Sequence, residues 1–348
     1  MTVSFDQDAG RDALRAALVA RVHGKAKPAG SLGRLEALAI QIGMVTGSLT
    51  PDLGSAKVVV FAGDHGLTAE GVTAYPSVVT REIAKLILAG GAGINICAGT
   101  TATDVLLVDA GMLAPLDDHP NLLDRRIGNG TANARHGPAM DRRDFENAMA
   151  AGGDIAADLA QAGSKLLAFG EVGIGNTSAA SLVAHAITGI PLETLVGAGA
   201  GIPPLGLDHK RQVLGDAFAR AALGYGDNPA RTAEALRQFA GFEMVMMTGA
   251  MLEAAEQGCI IVVDGFIATA VAAAAISIDP GVAGHCVFAH CSAEAGHRAL
   301  LAYLGATPLL DLGMRLGEGT GAALALPIVR AAEALLRDMA DLPGEHPS

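Results

Sequence analysis

No tryptophan occurs in this sequence, and aromatic residues fill only 3% of its 348 positions. The stacking platforms that grip single-stranded nucleic acid therefore have little to be built from. Basic residues are also scarce. Lys and Arg number 24 against 36 Asp and Glu, a net charge of −12, and no basic run stands out. Nucleic acid is thereby excluded as the expected partner. The same field repels small anions, so a phosphorylated ligand must be held by local groups. Four cysteines (Cys97, Cys259, Cys286, Cys291) are too few for a disulfide framework in a chain this long.

Long apolar runs are missing as well. The longest window, Cys259 to Ile278, is broken by Asp264 and Gly265 and reads as strand, loop and helix, not as a membrane span. The first residues, Met1 to Asp6, have neither the basic nor the apolar stretch of an export signal. The expectation is a cytoplasmic protein with no membrane partner.

What is present is a 51% apolar composition with 45 glycines, enough for a large core that packs small side chains and close backbones. Short apolar runs mark strands at Lys57–Ala62, Asp104–Val108, Lys165–Phe169, Cys259–Val263, His285–Ala289 and Thr307–Leu312. Helical patterns lie between them at Val78–Leu88, Ala148–Ala160, Thr177–Thr188, Phe242–Ala255 and Ile267–Ile278. Such alternation predicts a parallel sheet covered on both faces, with a strand order that is not readable. Asp117–Arg143 reads as a long connection. Asp6–His23 and Pro327–Met339 are amphipathic helices without strands, suited to a small helical subdomain built from both ends of the chain.

Nearly every apolar run ends in a polar group beside glycine: Asp64-His65-Gly66, Asp109-Ala110-Gly111, Gly170-Glu171, Asp264-Gly265, His290-Cys291-Ser292 and Asp311-Leu312-Gly313. Ligands of open parallel sheets bind outside the carboxyl ends of the strands, so these groups are expected to converge on one rim. The segment Gly170-Glu171-Val172-Gly173-Ile174-Gly175-Asn176-Thr177-Ser178 is the most informative. Its glycines allow a tight turn, and the helix that follows offers N–H groups to phosphate, with Asn176, Thr177 and Ser178 as candidate caps. It lacks the third glycine of a dinucleotide fingerprint and the lysine of a P-loop. Gly197–Gly201 reads as a loop passing close to a neighbour or a ligand, with Lys210 a candidate phosphate cation. Glu318, between Gly317 and Gly319, has the clear approach that a catalytic base needs, though a helix-capping role fits the same position. His285, Cys286, His290, Cys291 and His297 look like metal ligands on counting, but alternation along a strand turns His285 and His290 to opposite faces, so no metal is expected.

Taken in order, these segments resemble the nicotinate-nucleotide–dimethylbenzimidazole phosphoribosyltransferases of late cobalamin assembly. The resemblance spans KPAGSLGRLE (Lys27–Glu36), FAGDHG (Phe61–Gly66), GEVGIGNTS (Gly170–Ser178), GAGAG (Gly197–Gly201), DHKRQVL (Asp208–Leu214), GFEMVMMTGAML (Gly241–Leu252), DGF (Asp264–Phe266), HCSAE (His290–Glu294) and RLGEGTGAALALPIV (Arg315–Val329). It implies a large Rossmann-like α/β domain over residues 30–325, with a mostly parallel six-stranded sheet flanked by helices. A small helical domain from 1–29 and 326–348 accompanies it, and the molecule is a homodimer. The implied reaction moves phosphoribose from nicotinate mononucleotide to 5,6-dimethylbenzimidazole, with Glu318 as general base and no cofactor. The implied nucleotide side is Glu171, Gly173, Gly175, Asn176, Thr177, Ser178, Gly199, Lys210, Asp264, Gly265 and Ser292, with Lys210 and the helix start at Gly175–Ser178 on the 5′-phosphate. The implied base pocket is Tyr75, Ile83, Met314, Arg315 and Leu316. Some relatives carry Ser and Gln where this chain has Tyr75 and Ile83, which leaves the accepted base open. Two other readings of the sheet are a nucleotide-cofactor oxidoreductase, which needs a complete glycine fingerprint, and a non-catalytic nucleotide-binding protein.

Overall fold

The computed structural model describes residues 4–199 and 201–342. Residues 1–3 and 343–348 of the expected terminal subdomain, and Ala200 of the glycine-rich run, lie outside the described residues. Six strands, β1 (Ala56–Gly63), β2 (Asp104–Gly111), β3 (Leu122–Asp124), β4 (Leu166–Val172), β5 (Ile260–Val263) and β6 (Cys286–Phe288), form one sheet in the order β3-β2-β1-β4-β5-β6. Every pairing is parallel. The order reverses between β1 and β4, which pair from Ala56↔Leu166 to Ala62↔Val172. A crevice opens outside the sheet at such a switch point. The rim expected from sequence is therefore real, and its centre lies where β4 delivers Glu171.

Two strand assignments change. Thr307–Leu312 is not the sixth strand. It runs beside the chain after β6 with a single parallel bridge, His290↔Leu310, and bonds from Leu309 and Leu310 N–H to Phe288 and Ala289. Pro308 has no N–H to give to a ladder, which limits pairing there. The sixth strand is instead β3, three residues at the opposite edge, inside the stretch read as a long connection. The helices match more closely. Val78–Leu88 and Phe266–Ile278 fall within a residue of expectation, and Arg142–Gln161 extends beyond its expected core at both ends. The apolar stretch from 78 to 99 is long enough to cross a membrane by length and composition, but it is two helices, Val78–Leu88 and Gly93–Gly99, broken between them.

Apolar residues fill two clusters, one on each face of the sheet. On one face, Leu18 and Val22 of helix Ser4–His23 join Leu38 and Ile42 of helix Arg34–Thr46, Leu326 and Val329 of helix Thr320–Arg337, and Val58 and Val60 of β1. The chain ends meet through a Lys25↔Asp341 bridge, and their side chains are paired at 2.9 Å. The KPAGSLGRLE segment is a pinned turn: Glu36 accepts from Lys27 Nζ at 2.8 Å and from the Gly30 and Leu32 amides, with Gly30 and Gly33 in left-handed conformation.

On the other face, helix Phe242–Glu256 is buried in the core, and it meets helix Arg142–Gln161 backbone to backbone. A Cβ on Gly152 would lie 1.8 Å from the Met246 carbonyl oxygen, and one on Gly249 would lie 2.0 Å from the Met149 carbonyl oxygen. The glycine content thus serves interhelical approach that larger side chains forbid. Gly249→Ala is expected to destabilise the protein by about 1–3 kcal/mol through overpacking. Gly153→Ala, one position from Gly152 and with only ordinary contact ahead of its Cβ, is expected to stabilise by about 0.5–1 kcal/mol through helix propensity. Urea unfolding of both variants checks the contrast.

Candidate active site

A cavity of about 460 Å³ opens at the carboxyl ends of β4, β5 and β6. β4 enters it with Glu171 and Val172 and turns through Gly173, Ile174 and Gly175. A Cβ on Gly173 would lie 2.3 Å from the Gly63 carbonyl oxygen, so only glycine lets the turn cross β1. Gly175, at φ 95°, is the N-cap of helix Asn176–Thr188. The expected side-chain caps are absent, because each side chain is directed elsewhere or has no partner. Asn176 donates to the Glu171 carboxylate, Thr177 Oγ1 accepts from Lys210 Nζ at 3.1 Å, and buried Ser178 Oγ has no partner among the described residues.

Gly317, Glu318 and Gly319 follow one another at φ 85°, 63° and 83°. Three consecutive left-handed residues are rare, and Glu318 carries a strain that its glycine neighbours avoid. The turn is locked by the Glu318 amide, which donates to the Glu171 carbonyl at 3.1 Å, and by Asp264, which accepts from the Gly319 and Ala322 amides at 3.2 and 2.9 Å. Asp264 thus takes the capping role at helix Thr320–Arg337 and frees the Glu318 carboxylate. Glu318 is 7% exposed, and its nearest donor is the Ile94 amide at 3.4 Å.

Burial governs the electrostatics. It drives the Glu171 carboxyl well above the usual range, and the negative charges of Asp264, Glu243, Glu318 and Glu294 push the same way. Burial also raises Glu318, with the Ile94 amide opposing and Asp264 adding to the rise. Lys210, 1% exposed, is brought down to about 8 by burial, against the attraction of Glu294. Beneath Gly173, His65 Nε2 lies 2.8 Å from Glu243 Oε1. Burial works against the imidazolium there, but Glu243 and Asp64 more than offset it and raise the His65 pKa.

A family model described as "Phosphoribosyltransferase" matches residues 8–343. Curated proteins named nicotinate-nucleotide–dimethylbenzimidazole phosphoribosyltransferase match over nearly full length. That of Cupriavidus taiwanensis is 47% identical, covering 96% of this chain and 95% of its own, and that of Aromatoleum aromaticum is 44% identical over 94% of each. The crystal structure of CobT from Thermus thermophilus superposes with a TM-score of 0.89 at 43% identity, over 94% of this chain and 97% of that one. The chain belongs to the nicotinate-nucleotide–dimethylbenzimidazole phosphoribosyltransferase family.

Of the residues that resemblance to this phosphoribosyltransferase family marked, Tyr75, Ile83, Glu171, Gly173, Asn176, Thr177, Gly199, Gly265, Ser292, Arg315, Leu316 and Glu318 line the one cavity. Gly175, Ser178, Lys210 and Asp264 stand behind that lining. Lys210 backs Thr177 and Gly199, while Asp264 backs the Glu318 turn. Met314 is not among the lining residues, and its carbonyl accepts from the Ala293 amide at 2.8 Å. Sequence reasoning missed Val79, which shares a helix face with Ile83 at i+4, and Phe266, which follows Gly265. It also left His290 and Glu294 unassigned, although they flank Ser292 at two-residue spacing.

The Glu171 shift has a stability consequence. A buried carboxyl with a raised pKa makes the native state bind a proton that the unfolded chain releases, so stability falls as pH rises through and beyond the ordinary glutamate range. Glu171→Gln removes that loss. Its thermal midpoint is expected to exceed the parent's at pH 7.5, with the difference vanishing near pH 4, in paired melting scans of the unliganded proteins.

Proposed function

We propose that this chain transfers the phosphoribosyl group of nicotinate mononucleotide to 5,6-dimethylbenzimidazole, giving α-ribazole 5′-phosphate and nicotinate. The observation that carries the reading is that Glu318 and the Glu171–Thr177 turn line a single cavity. Family membership supports the reaction class.

The donor's pyridine nitrogen is already cationic, so it leaves without prior protonation. One benzimidazole nitrogen attacks C1′ while the other gives its proton to Glu318. Burial makes that carboxylate a stronger base than one in water. Attack opposite the departing ring inverts the β-anomer to α. Tyr75, Val79, Ile83 and Leu316 offer the acceptor an apolar wall, and the Gly173–Thr177 turn with Gly199 and Lys210 receives the 5′-phosphate. Holding both rings in line with C1′ supplies much of the rate. Positive charge that builds on the ribosyl group meets the carboxylates of Glu171 and Asp264. The exposed apolar side chains of Tyr75, Val78, Leu86 and Ile96 on the segments beside the cavity support a homodimer, and cytoplasmic location follows from the class of reaction.

Incubation with nicotinate mononucleotide and a panel of dimethylbenzimidazole, benzimidazole, adenine and a phenol, followed by chromatography, tests the reaction and ranks the acceptors. Absence of nicotinate release with every base overturns it. Glu318→Gln is expected to keep nicotinate mononucleotide binding and lower kcat by about 10²–10⁴-fold. Near-parent turnover removes Glu318 as the base. Lys210→Ala is expected to weaken binding of the mononucleotide far more than that of nicotinate riboside, read by calorimetry. Equal losses separate Lys210 from the phosphate.

A further inference from the structure

The cavity has three sides, and the proposed reaction assigns two of them. The acceptor side lies over the helix that follows β1, with Tyr75, Val79 and Ile83. The phosphate side is the turn after β4. The third side lies past β5 and β6, where Gly265, Phe266, His290 and Ser292 line the wall. β6 stands three strand positions from β1, about 14 Å at the usual strand spacing, so this wall is remote from the acceptor pocket.

His290 is the unexplained group on that wall. It is 2% exposed, and its Nδ1 is buried with no hydrogen-bond partner among the described residues. A buried polar atom left unpaired costs about 1–3 kcal/mol, which a ligand can recover. The ring is fixed in place on all sides. Nε2 lies 3.8 Å from Asp264 Oδ1, a Cβ on Gly321 would lie 2.0 Å from Cδ2, and the backbone is tied by the Leu310 bridge. Asp264 itself is anchored by the Gly319 and Ala322 amides. Neighbouring His297 cannot supply a charge: burial brings it down to about 3, and its Nδ1 accepts from the Ser292 amide. Among the described residues, basic side chains also stand near the cavity. Lys210 lies behind the phosphate turn, and Arg315 is exposed at the mouth.

We infer that His290 is a specificity-determining residue that reads the carboxylate of the departing pyridine ring by donating its Nδ1–H to it. The assignment rests on the proposed transfer reaction and adds to it a reason for preferring an acid over an amide in the donor. A hydrogen bond from an imidazole N–H to an ionised carboxylate is charge-assisted and stronger than a neutral contact. A carboxamide in the same place gives up that charge.

The test compares kcat/KM for nicotinate mononucleotide and nicotinamide mononucleotide, with dimethylbenzimidazole as acceptor, in the parent, His290→Gln, His290→Asn and Arg315→Met. The parent is expected to prefer the acid. His290→Gln, which places its amide near the Nε2 position, is expected to lower kcat/KM for the acid by about 10- to 100-fold, mostly through KM, and to change the amide by less than about threefold. His290→Asn, which keeps a polar nitrogen near Nδ1, is expected to retain part of the preference. A loss shared equally by both donors in His290→Gln and His290→Asn means a structural role only and overturns the assignment. A preference that survives both variants but collapses in Arg315→Met also overturns it and gives the carboxylate to Arg315. A parent that turns over neither donor overturns the transfer reading itself.

Discussion

The site depends on one backbone contact. Gly170 of β4 and the Gly317–Glu318–Gly319 turn touch so closely that a Cβ on Gly170 would lie 2.2 Å from the Gly319 nitrogen. This contact lets the chain from the far end of the sequence lie against the central strand at the switch point. It places the Glu318 amide on the Glu171 carbonyl and the Gly317 Cα over the Glu171 carboxylate. Glu318 must accept a left-handed conformation as a result, and the surrounding hydrogen bonds hold it there. The two acids are therefore linked by main chain and not by side-chain contact. Both residues line the cavity.

The same economy of volume runs through the core. Helices Arg142–Gln161 and Phe242–Glu256 interlock glycine against carbonyl, and helix Phe266–Ile278 is almost entirely small or apolar and buried. Close packing of this kind brings the helix and strand ends forward as a narrow rim. Gly63 and Gly241 leave room for the Glu243 carboxylate, and that carboxylate keeps His65 under the Gly173 turn. A larger residue at any of these glycines meets either main chain or the buried Glu243 side chain, so the site tolerates little displacement below it.

Much of this was legible in the sequence because backbone requirements leave glycine signatures. Alternating strands and helices gave the parallel sheet, and polar residues beside glycine marked the rim. The strand order was not legible, since β3 is three residues long and sits among charged and proline-containing neighbours that look like loop. Thr307–Leu312 misled because its apolar pattern is that of a strand, while Pro308 limits the ladder. The bonds that Asp264 accepts from the Gly319 and Ala322 amides had no trace in the sequence. Helix caps supplied from distant strands leave no local signal, and the same holds for His290, whose significance lies in an atom left unpaired in three dimensions.

If the proposed reaction holds, the charge distribution explains how an acidic protein suits an anionic donor. Glu171, Glu294 and Glu318 line the cavity with Asp264 behind them, and burial raises the pKa values of Glu171, Asp264 and Glu318. Burial makes these carboxyls hold protons more readily than free ones do. A pyridinium ring favours their ionised forms, so donor binding and proton release are coupled. In the proposed transfer, positive charge moves onto the ribosyl carbon as the bond to the ring breaks. Ground-state binding gains little from a cluster of acids, since the donor also carries a phosphate that they repel. The gain is concentrated where the ribosyl group is most cationic. Interaction energy realised only at that point raises turnover without tightening the hold on the donor. In the same proposal, Lys210 and the helix start offset the phosphate repulsion locally.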